Sequence, residues 1–281
     1  MSAPADGARS RARLTMPAPA KLTLSLRVTG VRHDGYHLLD AEMVSIDLVD
    51  TLTFEPGAGI SVVDDVVGSL GVGLVPTGPD NLVARALALA GRSAAVRIVK
   101  RIPTGAGLGG GSADAAAVLR WAQVTDLHEA ARVGADVPFC VWGGRARVTG
   151  VGETVEPLAF EDRRFVLLLP PIAVDTGAVY KAWDDRRARP GGDGTGEAAA
   201  AAEGGNDLED AAIDVVPVLA HWRDRLGELT GQRPRLAGSG SAWFVEGEPD
   251  GLGLDGREFL VMKDDRAPLV AVRTVPAFDR R

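Results

Sequence analysis

The chain of 281 residues has a single cysteine, Cys140. That excludes an intrachain disulfide and a multi-cysteine metal site, and the role expected of Cys140 is a small core residue. Histidine is scarce, at four residues, and no H-E-x-x-H pair occurs, so a histidine-built zinc site is not expected. No apolar run approaches the roughly 20 residues of a membrane-crossing helix. A basic excess is missing too: 31 Lys+Arg against 38 Asp+Glu leave a net charge of −7. This argues against non-specific nucleic-acid binding and leaves room for a local basic pocket. The opening "MSAPADGARSRARLT" has arginines with no apolar stretch behind them. It reads as a disordered tail over 1–16, not as a secretory signal. Together these features lead us to expect a soluble cytoplasmic protein with no membrane or nucleic-acid partner.

Glycine, in contrast, is abundant at 35 residues. Five of them fall between Gly105 and Gly111, in "KRIPTGAGLGGGSADAAAVLR". Glycine weakens regular structure, so a cluster this dense needs a reason. Around it, "AKLTLSLRV" at 20–28 alternates strictly, with Ala20, Leu22, Leu24, Leu26 and Val28 on one face and Lys21, Thr23, Ser25 and Arg27 on the other. That predicts a half-buried strand. Further strands are expected over 41–55 and 59–67, and "AAVRIVKRI" at 94–102 alternates again and predicts another, with the stem of Lys100 on a pleat. A helix is expected after Asp80 as N-cap, and another from Ser112 to about Gln123. "FVLLLP" reads as a buried strand and begins a change of style, which sets a domain boundary near 161. The segment 188–205 is low in complexity and reads as a mobile insertion. A helix is expected over 213–229, then a strand, a glycine–serine turn and further strands. Strands and helices that do not alternate regularly point to an α+β protein, with an N-terminal domain over 17–160 and a C-terminal domain over 161–281.

The loop matches G-x-G-x-x-G at Gly105, Gly107 and Gly110, but a dinucleotide site needs a second parallel strand ending in an acid. The segment around Asp126 is helical in spacing and holds no such strand. A Walker A loop needs G-K-[ST], and here Gly111 runs into Ser112 without a lysine. What remains is a phosphate cradle of another kind, from Pro103 through Thr104, Gly105, Ala106, Gly107, Leu108, Gly109, Gly110 and Gly111 to Ser112 and Ala113. Its glycines would let backbone N–H groups approach phosphate oxygens. Ser112 would cap a helix whose N-terminus carries positive partial charge, and its hydroxyl is suited to Mg²⁺ beside those phosphates. Asp114 is expected either to favour the helix dipole or to hold a metal-bound water, and the first is preferred.

These residues carry a resemblance. "PTGAGLGGGSADAAA" is similar to the second motif of the galactokinase, homoserine kinase, mevalonate kinase and phosphomevalonate kinase (GHMP) superfamily. "APAKLTLSL" at 18–26 resembles the first motif and "LAGSGSAWFVE" at 236–246 the third. The segments "GYHLLDAEMVSIDLVDTL", "GADVPFCVWGG", "GVGETVEPL" and "NDLE" resemble the branch that phosphorylates a cytidylated methylerythritol. The resemblance runs from about residue 17 to the C-terminus. It implies the two-domain fold of that superfamily, an N-terminal domain like ribosomal protein S5 domain 2 followed by an α+β C-terminal domain. It also implies an ATP- and Mg²⁺-dependent kinase of isoprenoid precursor synthesis, acting as a monomer or weak homodimer. A kinase for another small alcohol and a non-catalytic ligand-binding relative are the alternatives.

The resemblance also implies residue roles. Lys21 on its own reads as a solvated strand lysine and Asp136 as a turn aspartate; by resemblance they become the catalytic lysine and general base. Tyr36 and His37 would build a cytidine pocket. Gly238, Ser239 and Gly240 would support the phosphate loop. Thr23 stands where relatives commonly carry asparagine and is expected near substrate. The span from Ser112 to Gly134 looks short by a helix and its turn.

Overall fold

A computed structural model of the chain describes residues 13–67, 75–188 and 205–279. The expected insertion at 188–205 therefore lies outside the described residues except for its two ends, as do residues 1–12 of the expected tail. The last residues of that tail are not loose: β1 runs over Leu14–Val31 and pairs antiparallel with β2 (His37–Glu55), Leu14 opposite Phe54.

Strand β2 organises the first sheet. β1 lies along one edge, and the other is shared by β5 (Arg145–Gly150), opposite Leu39–Val44, and β4 (Ala95–Lys100), opposite Thr51–Glu55. β3 (Gly59–Asp64) joins β4 in parallel, and β6 (Thr154–Pro157) closes the far side. The crossover from β3 to β4 carries α1 (Leu82–Leu89). Its cap is Asn81, whose side chain accepts from the Val83 N–H at 2.8 Å, and not Asp80 as the sequence suggested. Asparagine serves equally well at this position, a contribution of about 1 kcal/mol.

The second sheet is antiparallel throughout, in the order β10 (Phe259–Met262), β11 (Asp265–Arg273), β7 (Arg164–Leu168), β9 (Trp243–Glu246), β8 (Arg235–Leu236). Helices fill the remaining space: α2 (Gly110–Trp121), α3 (Leu127–Ala131), α4 (Val137–Trp142), α5 (Thr176–Arg187), α6 (Glu209–Val215) and α7 (Val218–Thr230). The single helix expected over 213–229 is thus two. Pro217 cannot donate the backbone hydrogen bond, and it pushes Val216 out of the helical region to φ −134°, ψ 81°. The architecture is α+β.

Two buried clusters hold the chain together. One packs α1, α2 and α4 on the first sheet and continues through Trp183, Trp222 and Trp243. The other joins the sheets, with Leu22, Leu24 and Ile46 from one and Phe165, Leu167 and Phe244 from the other. β1 contributes to both: Ala18, Leu26 and Val28 to the first, Ala20, Leu22 and Leu24 to the second. The register with β2 shifts between Pro19 and Lys21 and again between Thr23 and Ser25. Each extra residue reverses which face a side chain takes, so the segment 20–24 is turned over relative to its flanks. The expected single apolar face is therefore split, and Lys21 and Thr23 are as buried as their apolar neighbours, at 5% and 2% exposed.

Candidate active site

The glycine loop alternates between anchors and close approaches. Ile102, Ala106 and Leu108 are buried in the core that joins the two sheets. Gly105, Gly107 and Gly109 between them have φ of +66°, +76° and +67°. A Cβ on Gly107 would run into the carbonyl oxygen of Ala237, and one on Gly105 would lie 2.8 Å from Cβ of Ala173. These glycines are dictated by packing of the loop on the protein as much as by any ligand. Gly111 differs: it is exposed, and its nearest neighbour would be Leu82 at 3.6 Å. Pro103 is buried, and Thr104 is exposed.

Helix α2 begins two residues before the expected start. Gly109 is the N-cap and Ser112 is the third helical residue, so Ser112 does not cap. With no Cβ, Gly110 enters the first turn where a side chain would crowd Ile102, and the chain coils early. Ala113 N–H bonds the Gly109 carbonyl at 2.8 Å. The N–H groups of Gly110, Gly111 and Ser112 have no partner within the helix. Ser112 is partly exposed beside them, while Ala113 and the next six residues are buried.

Lys21 runs past this loop. Its backbone N–H bonds the Leu108 carbonyl at 3.0 Å, and a Cβ on Gly109 would lie 2.8 Å from its Cγ. The ammonium donates to Thr23 Oγ1 at 3.0 Å and stands 3.6 Å from Asp136 Oδ2. Thr23 is therefore buried against the lysine. Asp136 is the N-cap residue of α4, yet its carboxylate makes no capping bond and is one-third exposed. Burial, with the charge of Asp136 adding to it, pushes the neighbouring Cys140 thiol up to about 12, which leaves it inert.

The glycine–serine turn after β8 buttresses the loop. Ser241 N–H bonds Gly105 O at 3.2 Å and Ala242 N–H bonds Ala106 O at 3.1 Å. Asn206 holds this turn from behind, its amide donating to the carbonyls of Leu236 and Gly238 at 3.0 and 2.7 Å. Gly238 is pressed on Lys21, 3.0 Å from a Cβ position to Nζ.

Sequence reasoning missed a buried group under the loop. Lys100 places its ammonium between Asp50, in a short contact, and Asp114 at 2.8 Å. Burial opposes the charge of Lys100, but Asp114 and Asp50 more than offset it and raise its pKa. Burial also raises Asp114, against the pull of Lys100. Asp114 lies beyond the first turn, hydrogen-bonded to Lys100. Neither the dipole role nor the water-holding role fits it. The alternation of β4 placed Lys100 on a pleat, but nothing local marked Asp50 as its partner.

Tyr36 and His37 part company. Tyr36 is 61% exposed, with the Arg32 guanidinium 5.3 Å from its ring centre. His37 is tucked against α5: Nε2 lies 2.9 Å from Asp184 Oδ1, its ring 4.5 Å from that of Tyr180 and 5.5 Å, edge-on, from Trp183. Burial, and after it the charge of Asp136, pushes the Tyr180 hydroxyl up, so this aromatic cluster sits within electrostatic reach of the carboxylate. The helical spacing of Tyr180, Trp183 and Asp184 was the available signal. Among the described residues no group of three or more His, Cys, Asp or Glu side chains could hold a metal. His33 and His37 stand four apart, but a turn separates them and His33 is exposed.

A glycine loop buttressed in this way, with a buried lysine facing a carboxylate, defines a small-molecule kinase of the GHMP class. Residues 81–144 match the GHMP kinases N terminal domain. The fold is shared with a homoserine kinase from Cytophaga hutchinsonii ATCC 33406, at TM-score 0.59 and 13% identity over 98% of each chain. More particularly, the chain belongs to the 4-diphosphocytidyl-2-C-methyl-D-erythritol kinase family. It is 40% identical over 235 residues to the protein of that name from Paracoccus denitrificans (strain Pd 1222), covering 81% of this chain and 84% of that one. It is 41% identical over 246 residues to that from Cereibacter sphaeroides (strain ATCC 17025 / ATH 2.4.3), covering 81% and 87%. A crystal structure of 4-(cytidine 5'-diphospho)-2C-methyl-D-erythritol kinase superposes at TM-score 0.66 with 34% identity, over 93% of this chain and 100% of that one.

Proposed function

We propose that the chain transfers a phosphoryl group from ATP to the 2-hydroxyl of 4-diphosphocytidyl-2-C-methyl-D-erythritol, a step of non-mevalonate isoprenoid precursor synthesis. The observation that carries the chemistry is the Lys21–Asp136 pair beside the glycine loop. Asp136 accepts the proton of the acceptor hydroxyl as general base. The transition state of phosphoryl transfer is loose, so the carboxylate chiefly orients the nucleophile. Lys21, held by Thr23, stabilises the alkoxide as it develops. The N–H groups of Gly110, Gly111 and Ser112 take the phosphates at the N-terminus of α2.

Mg²⁺ fits as a substrate-borne ion. This ion is commonly held by one or two protein groups plus substrate phosphates, and the half-exposed hydroxyl of Ser112 is such a group, whereas Asp114 is committed to Lys100. When bound, it neutralises charge on the transferred phosphoryl group. His37, with Tyr180 and Trp183, supplies the aromatic surface and the hydrogen-bonding edge that reading a cytosine requires. Tyr36, exposed at the same turn beside Arg32, offers a second ring to the base. Lys21 and Asp136 come from one chain, so a monomer is sufficient, and ATP as donor accords with a cytoplasmic enzyme.

The test is ADP release with the cytidylated sugar alcohol against its uncytidylated parent. Release that depends on the cytidylated compound is the expected result. Equal rates would refute the cytidine pocket, and no release with either would refute the kinase reading.

A further inference from the structure

The Asp50–Lys100–Asp114 cluster takes no part in the chemistry above, yet it lies directly under the loop. The three residues are 0%, 2% and 3% exposed. Asp50 is complete without Asp114: it accepts from Lys100 and from the backbone N–H groups of Arg101 and Ile102 at 2.6 and 2.9 Å. Asp50 and Lys100 alone would form a neutral buried pair. Asp114 adds a second carboxylate, and its Oδ1 is buried without a hydrogen-bond partner. A second carboxyl buried with one oxygen unpaired is costly, ionised or protonated, and is poorly explained as a stabilising device.

Its effect is positional. The turn that opens α2 is built from Gly109, Gly110 and Gly111, and its N-cap has no side-chain hydrogen bond. Glycine leaves such a turn more backbone freedom than any other residue. Asp114, one turn beyond Gly110, reaches back to the end of β4 through its bond to Lys100. Lys100 Nζ itself stands 3.1 Å from where a Cβ on Gly110 would be. The bond therefore ties the freest part of the loop to the sheet.

We propose that Asp114 is a positioning residue for the phosphoryl donor: through Lys100 it holds the first turns of α2 so that the N–H groups of Gly110, Gly111 and Ser112 meet the phosphates of ATP. This rests on the reading of the loop as the ATP cradle.

Asp114→Leu and Asp114→Ala remove the bond and leave the neutral Asp50–Lys100 pair, while Asp114→Asn keeps an acceptor for Lys100. In Asp114→Leu, thermal stability holds or rises while the Kd for ADP, by calorimetry, and the KM for ATP rise roughly tenfold, the scale of one charged hydrogen bond. The KM for the cytidylated acceptor does not change, and Asp114→Asn restores most of the ADP affinity. Undiminished ADP binding in a folded Asp114→Leu or Asp114→Ala variant overturns the positioning role and leaves the kinase reading intact. Loss of the folded state in both also overturns it, because Asp114 would then be a structural residue. A wild-type chain that does not bind ADP overturns the cradle and this proposal together.

Discussion

Lys21 Nζ and Asp136 Oδ2 lie 3.6 Å apart, the first from the middle of β1 and the second from the cap of α4. The carboxylate declines the helix N–H groups within its reach and faces the ammonium instead. Asp136→Asn keeps the shape and removes the base, so kcat falls by roughly 10²–10⁴ while ADP still binds. Steady-state kinetics and calorimetry on the same sample check this, and near-normal turnover would remove Asp136 from its role.

Two glycines of the loop separate packing from ligand approach. Gly107→Ala places a methyl on the Ala237 carbonyl oxygen at φ +76°, and the expected outcome is a chain that melts well below wild type. Gly111→Ala meets nothing closer than 3.6 Å and replaces a helical glycine, so stability holds or gains up to about 1 kcal/mol. A Cβ there enters the phosphate approach, and the KM for ATP rises. Thermal melts together with kinetics distinguish the two; normal ATP affinity in Gly111→Ala would mean that the phosphates do not pass this residue.

The hydrogen bond from His37 to Asp184 fixes the orientation of the imidazole between Tyr180 and Trp183. Removal of the ring in His37→Ala raises the KM for the cytidylated substrate, and Asp184→Asn raises it less. The KM for ATP stays constant in both. An equal rise for both substrates would show that the change is a general loosening of the structure.

Glu246 links β9 to Arg163 through two bonds of 2.7 Å, with Arg235 at 3.5 Å. The bond to Arg163 holds its carboxyl below the usual range of about 4.5, against a smaller effect of burial. A carboxylate whose pKa is lower folded than unfolded contributes stability above the unfolded value and loses it as pH falls through the folded one. Glu246→Gln therefore melts below wild type at neutral pH, and the gap closes as pH falls below about 4.5. Melts at pH values falling from 7 check the sign; a gap that does not narrow below pH 4.5 would exclude the ion pair as its source.

Much of this was legible locally. Alternation announced β1 and β4, because a strand against a core repeats every two residues. The glycine cluster announced a loop opening a helix, and Lys21 and Asp136 could be singled out through the motifs around them. The start of α2 was misplaced because serine is a good cap in general, whereas here the capping position needs φ +67°, which glycine supplies at little cost. The split of the helix near 217 is legible in Pro217, which cannot continue a helix from the residues before it.

By itself the sequence determined the α+β composition, the strands β1, β2 and β4 and the glycine loop that opens α2, since these depend on local pattern and spacing. Only the tertiary structure decided which groups meet. Two register shifts turn over the segment 20–24 of β1, so that Lys21 points to Asp136 and Thr23 and not to solvent. The packing of β2, β4 and α2 brings Asp50, Lys100 and Asp114 into one buried cluster. The physical reason is common to both: where a polar side chain ends depends on neighbours far away in the chain, and alternation within a single strand carries no record of a bulge or of the element that packs across from it.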